Sequence, residues 1–84
     1  MYYVYVLRSK RDGNLYVGCT GDLRKRFANH NNGNVQSTRY RIPFELLYYE
    51  GSRSKIDALH RERYLKTTYG KRYLKSRLKS DLLR

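Results

Sequence analysis

Tyr2-Tyr3-Val4-Tyr5-Val6-Leu7 and, further on, Leu15-Tyr16-Val17-Gly18 are the stretches on which the fold turns. Both are dense in aromatic and β-branched residues, the composition of strands. Between them lie polar Ser9, Lys10 and Arg11 and the dipeptide Asp12-Gly13, a hairpin-turn signal. The two strands are therefore expected to pair antiparallel, with Gly18 ending the second.

Beyond the hairpin, Asp22 is placed to cap a helix running to about Asn31, closed by Asn-Asn-Gly at 31–33. Leu23, Arg26, Phe27 and His30 recur at helical spacing, so Arg26 and His30 fall on the inward stripe. Residues 32–42 are polar and read as a surface loop ended by Pro43. Phe44 to Tyr49 forms a third strand. Ser54 with Asp57 starts a second helix, about Lys55 to Thr67, whose apolar arc holds Ala58, Leu59 and Leu65 and also Glu62. Gly70 is expected to separate it from a third helix striped by Leu74, Leu78 and Leu82. The order ββαβαα predicts an α+β domain over residues 1–84, a small three-stranded antiparallel sheet flanked by helices.

Composition narrows the classes. Of 84 residues, 19 are Lys or Arg and 7 are Asp or Glu, for a net charge of +12. Leu, Ile, Val and Phe number only 19, and ten tyrosines supply the remaining apolar area a core requires. No apolar run reaches the ~18 residues of a membrane span, and Met1–Leu7 lacks the basic flank and small-residue cleavage site of a signal peptide. A lone Cys19 fits a reducing cytoplasm, and with only His30 and His60 beside it offers no structural zinc set. Residues 1–50 carry a net +4 and residues 51–84 a net +8, so a basic face is expected in the C-terminal part. Its partners are polyanions, DNA or RNA ahead of an anionic membrane.

Tyr5 and Tyr16 on adjacent strands, Arg26 and His30 on an inward helical stripe, and Glu62 on an apolar arc are addressed toward one polar cluster. These are parts suited to phosphodiester hydrolysis. A carboxylate holds Mg²⁺, a guanidinium forks onto a phosphate, and a tyrosine or histidine takes a proton from water. The same residues also fit a structural Arg26–Glu62 ion pair under a tyrosine-rich core, and residue types alone leave both readings open.

The motif itself resembles the GIY-YIG nuclease superfamily, nearest to its small stand-alone bacterial members. The resemblance is carried by Tyr2–Leu7, by LYVGCTGDLRKRFANHNN at 15–32, by STRYRIPFELLYYE at 37–50 and by ALHRERYLK at 58–66. It implies that Tyr5 and Tyr16 are the tyrosines of the two half-motifs. Arg26 would be the phosphate-contacting arginine, His30 a histidine found in many members, and Glu62 the metal-binding glutamate. It further implies one-metal hydrolysis of DNA with Mg²⁺ or Mn²⁺, in a repair setting, on branched or single-stranded substrate. A tyrosine of pKa ~10 is a poor base at neutral pH, so positive charge or His30 must assist it. The chain departs from the pattern at Tyr3, where the first half-motif has glycine, and in having no asparagine after Asn34.

Outside that cluster, Arg39, Arg41, Lys71, Arg72 and Lys75 are the expected DNA contacts. Thr38, Arg39 and Arg41 read equally well as contacts to the DNA backbone or as a solvated loop, and the basic third helix as a solvated face over its Leu stripe. Cys19 reads as a small filler and His60 as exposed. A non-catalytic nucleic-acid-binding module on the same scaffold is the alternative function, and a protein partner is compatible with either.

Overall fold

The computed structural model describes residues 1–83. Strands β1 (Tyr2–Ser9), β2 (Leu15–Thr20) and β3 (Phe44–Ser52) form one antiparallel sheet in the order β2-β1-β3, so the chain's first strand lies at its centre. Helix α1 (Leu23–Asn31) follows the hairpin, and α2 (Lys55–Leu65), α3 (Thr68–Arg77) and the short α4 (Lys79–Leu82) follow β3. The α+β architecture is the expected one.

The sheet separates two apolar layers. Val4, Val6 and Val17 face Ala58, Leu65, Leu74 and Leu78 of the C-terminal helices. On the opposite face Tyr5, Leu7 and Phe44 pack with Tyr16, Leu23, Phe27 and Leu46 under α1. Alternation along β1 produces this division directly, since successive side chains point to opposite faces. In β3 the alternation switches phase. Val6 pairs with Tyr48 but Leu7 with Leu46, a bulge that leaves Leu47 between them. Phe44 and Leu46 consequently turn toward α1, whereas Tyr48 and Glu50 lie opposite Val6 and Val4 on the other face.

Local chemistry fixes the helix ends. Asp22 accepts from the Lys25 amide, Ser54 from Asp57 and Thr67 from Gly70, each a side-chain N-cap. Gly33, at φ 79°, turns the chain after α1.

Three expectations are corrected. The segment 32–42 contains a 3₁₀ turn, Arg39–Arg41, and buries Val35 and Thr38. Leu59 is exposed, so the inward arc of α2 is Ala58 and Leu65. Gly70 does not separate two helices. The break falls at Lys66–Thr67, and Gly70 sits inside α3, where a Cβ would overlap the Tyr64 carbonyl oxygen and Leu65 Cα. The glycine permits the close crossing of α2 and α3 that presses Leu65 and Leu74 onto the sheet. Sequence reading saw a helix breaker because crossing distance leaves no local signal.

Gly70→Ala gains up to about 1 kcal/mol of helix propensity but meets backbone atoms that cannot rotate aside. A net loss of about 1–3 kcal/mol is expected, against less than about 0.5 kcal/mol for Gly21→Ala, which meets only ordinary van der Waals contacts. Urea unfolding followed by circular dichroism measures both; unchanged stability in Gly70→Ala contradicts the crossing argument.

Candidate functional site

Tyr5 lies at the middle of the central strand and is 0% exposed. A hydroxyl there has to be hydrogen-bonded, because an unpaired buried one costs on the order of 1–3 kcal/mol. Space for its ring comes from Gly18, its register partner on β2, where a Cβ would collide with the Tyr5 hydroxyl. Gly18, expected to end the strand, instead lies inside β2, which runs on to Thr20, and is required there by a side chain on the neighbouring strand.

Two residues of α1 satisfy the hydroxyl. His30 Nε2 lies 2.8 Å from it, and Arg26 Nε–H donates to it at 3.3 Å. Arg26 and His30 are one helical turn apart, so one face of α1 presents both. The His30 ring is fully buried, with Tyr16 at 5.1 Å and Phe44 at 5.8 Å between centroids. Its Nδ1 lies 2.8 Å from the buried Thr38 hydroxyl. The helix that carries these groups is clamped to the sheet by Asn31, whose side chain accepts from the Phe44 amide at 2.7 Å and donates to the Phe44 carbonyl at 3.0 Å.

Electrostatics follow from burial. His30 is pushed down to about 4, first by desolvation and then by the Arg26 charge. Desolvation raises the Tyr5 phenol, partly offset by Arg26. Arg26 is held more firmly charged, chiefly through its hydrogen bond to Tyr5. At neutral pH the cluster is two neutral rings beside one guanidinium.

That guanidinium has no carboxylate partner among the described residues. Arg8, Arg41 and Arg61 are paired with Glu45, Asp12 and Glu50 at 2.6–2.7 Å. Arg26, only partly exposed, is bonded to a phenol instead. Glu62 pairs with Lys66 at 3.1 Å, not with Arg26. The structural Arg26–Glu62 ion pair is therefore absent. Glu62 stands on α2, and its charge is felt at Tyr5 and Cys19 as a small upward push.

Comparisons with known proteins show the family. Residues 1–76 match the model of the GIY-YIG catalytic domain. The chain belongs to the GIY-YIG family. A UPF0213 protein of Streptococcus pneumoniae serotype 4 is 46% identical over 65 residues, 76% of this chain and 65% of the relative. A UPF0213 protein of Staphylococcus saprophyticus is 40% identical over 75 residues, 88% of this chain and 90% of the relative. The match to the pneumococcal relatives thus spans just under two thirds of their length. The solution NMR structure of a UPF0213 protein from Bacillus halodurans superposes with a TM-score of 0.56 at 36% identity, covering 90% of this chain and 84% of that one.

Within the GIY-YIG chain, Tyr5, Arg26 and His30 are joined by hydrogen bonds, and Tyr16 lies against Tyr5 and His30. Thr38, weighed in the sequence as a DNA-backbone contact or a solvated loop residue, is instead buried against His30, and Asn31 escaped sequence reading as a site residue. Thr38 arrives from an irregular segment with no period, and Asn31 looked only like a helix terminator. Arg41 is committed to Asp12, which it holds down to about 2, and to the Asn14 carbonyl. Arg39 is exposed and donates to Tyr40. Lys71 and Lys75 line a groove of about 530 Å³ with Asn14, Leu15, Tyr16 and Lys66, and Arg72 lies over the Tyr69 ring at 5.8 Å. Burial raises the Cys19 thiol, the reverse of an activated nucleophile.

The described residues hold no group of three or more His, Cys, Asp or Glu able to cage a metal. Glu62 offers one partly exposed carboxylate. That donor set fits Mg²⁺, which takes one or two carboxylates and completes its shell with water and phosphate oxygens.

His30 also sets a pH dependence of stability. Its folded pKa of about 4 lies below its ordinary 6.5. Between those values the unfolded chain binds a proton that the folded chain refuses, so stability is full above pH 6.5 and falls as pH drops toward 4. The full loss is about 3 kcal/mol. Asp12 contributes only lower, between 3.8 and about 2. Urea unfolding from pH 7 to 4.5 should show the decline, and His30→Gln should flatten it; an equal decline in the variant excludes His30 as its source.

Proposed function

We propose that this GIY-YIG chain is a metal-dependent DNA endonuclease that hydrolyses phosphodiester bonds. The observation that carries the reading is Arg26. A cation in a partly buried cluster, held by a phenol and without a counter-charge, is an anion site, and among polyanions the family points to DNA. Its planar fork matches two oxygens of one phosphate and stabilises the charge that develops there.

Glu62 would hold Mg²⁺ or Mn²⁺, which supplies charge neutralisation at the phosphate when bound. The remaining steps belong to the chain's own side chains. Tyr16, partly exposed, is the phenol that water can reach, whereas Tyr5 is sealed. Tyr5 serves as the relay: it passes its proton to His30 Nε2 and so becomes able to accept one. Without substrate His30 is a weak base, and the Arg26 charge is one of two causes. A phosphate on Arg26 cancels much of that charge, so binding raises the basicity of His30 when a base is needed. The device links recognition to proton transfer.

Lys71 and Lys75, beside Tyr16 on the groove, extend the positive track, with Arg72 and Arg39 at its margins. Arg41 is already spent on Asp12 and contributes little. The substrate structure that fits this track, branched or single-stranded, is part of the proposal, as are a cytoplasmic setting and a repair role.

Purified protein with plasmid, single-stranded and branched DNA and Mg²⁺ or Mn²⁺ should cut. Arg26→Ala and Glu62→Gln should each lower the rate by at least roughly 100-fold. Lys71→Ala/Lys75→Ala should weaken binding across all sequences and reduce the salt slope by about 2. Tight, salt-sensitive binding with no cutting under any of these conditions would instead identify a non-catalytic nucleic-acid-binding module.

A further inference from the structure

The hydrogen-bond chain through His30 has two ends whose polarity is fixed by chemistry. At one end Arg26 Nε–H can only donate, and it donates to the Tyr5 oxygen at 3.3 Å. The single Tyr5 proton is then directed at its other partner, His30 Nε2 at 2.8 Å. At the far end the Val35 carbonyl can only accept, and the Thr38 hydroxyl donates to it at 3.5 Å. The Thr38 oxygen is thereby left to accept from His30 Nδ1 at 2.8 Å. Reasoning from either end gives the same neutral ring, protonated at Nδ1 and bare at Nε2. Every buried side-chain nitrogen and oxygen among the described residues has a hydrogen-bond partner.

We infer that Thr38 is a positioning residue that fixes His30 in the Nδ1–H form, so that Nε2 is kept as the acceptor for the Tyr5 proton. Thr38 is itself 1% exposed and is delivered by the 35–38 turn, where its amide also bonds the Val35 carbonyl at 3.1 Å. The buried turn is built around that hydroxyl. In the transfer the Tyr5 O–H bond breaks and an N–H bond forms at His30 Nε2, leaving a phenolate and an imidazolium whose Nδ1–H stays on Thr38. The phenolate is then able to accept a proton passed inward from the water side, where Tyr16 is the phenol that water reaches. A second-layer acceptor oriented this way is what gives an imidazole one tautomer in catalytic sites generally. A hydroxyl does so without adding a negative charge, leaving Arg26 as the cluster's only charge.

The tautomer follows from the geometry alone; its effect on rate rests on the nuclease reading above. The test separates the two. In ¹⁵N-histidine-labelled protein free of metal and DNA, long-range proton–nitrogen correlation should show His30 protonated at Nδ1 and bare at Nε2. Protonation at Nε2 would overturn the inference whether or not the protein cuts DNA. In Thr38→Val, of equal shape, Nδ1–H loses its acceptor and the ring should switch to the Nε2–H form, which donates to Tyr5 and blocks the transfer. The cleavage rate constant should then fall roughly 10- to 100-fold with DNA affinity unchanged, and Thr38→Ser should restore both tautomer and rate. A folded Thr38→Val protein with the native tautomer and wild-type rate refutes the assignment.

Discussion

The requirement to pair one buried hydroxyl, that of Tyr5, organises the site face of this fold. Placing a tyrosine at the centre of the middle strand gains the burial of a large ring but commits the structure to partners for its oxygen. Gly18 opens the space on β2, and α1 must then cross that face so that His30 and Arg26 arrive together. His30 in turn needs a partner for its second nitrogen, which draws Thr38 into the interior from an otherwise polar segment. Asn31 fixes the helix to the start of β3 so that the geometry holds. Each requirement creates the next, and together they consume residues that a plain core would have filled with leucine.

The charge layout follows the same logic. Most half-buried arginines here are neutralised: Arg8, Arg41 and Arg61 all have carboxylates. Such pairs satisfy donors that would otherwise be stranded, and contribute little beyond that. Arg26 is the departure. Leaving a cation on a phenol sacrifices stability in the free protein and depresses His30 besides, an arrangement that makes sense when an anion completes it. Structures commonly keep such unfavourable local terms at functional sites.

Much of this was legible in the sequence, for reasons that can be named. The strands announced themselves because six of the ten tyrosines and three of the four valines are concentrated in them, and the inward address of Arg26 and His30 followed from 3.6-residue spacing. The three caps at Asp22, Ser54 and Thr67 are short-range chemistry, although Thr67 was passed over in favour of the more conspicuous Gly70. What stayed hidden depends on contacts between distant segments. The phase switch at Leu47 is invisible because FELLYYE contains apolar residues on both parities. Thr38 and Gly70 act through a ring and a helix that pack against them from elsewhere in the chain. Glu62 was legible as an anomaly on α2 but not as a partner of Lys66, four residues on, because the same spacing would serve an exposed pair.

Glu62 and the Tyr5–His30–Arg26 chain belong to different layers, the one on α2 and the other reaching β1 from α1, with the three-stranded sheet between the helices. No hydrogen bond joins them among the described residues, and the Glu62 charge reaches Tyr5 only weakly. The two halves therefore have little means of sensing each other in the free protein. A phosphate engaged by Arg26 and shared with a cation on Glu62 would be their principal connection. Recognition and chemistry would then coincide, because the anion that neutralises Arg26 would also relieve the lesser of the two causes that depress His30, burial being the larger. On this account the free chain is a poor base by construction, and discrimination arises from whether a phosphate seats fully on Arg26. A ligand that touches only the outer lysines would gain affinity without switching the relay, since Lys71 and Lys75 lie on the groove wall and neither appears among the causes that depress His30.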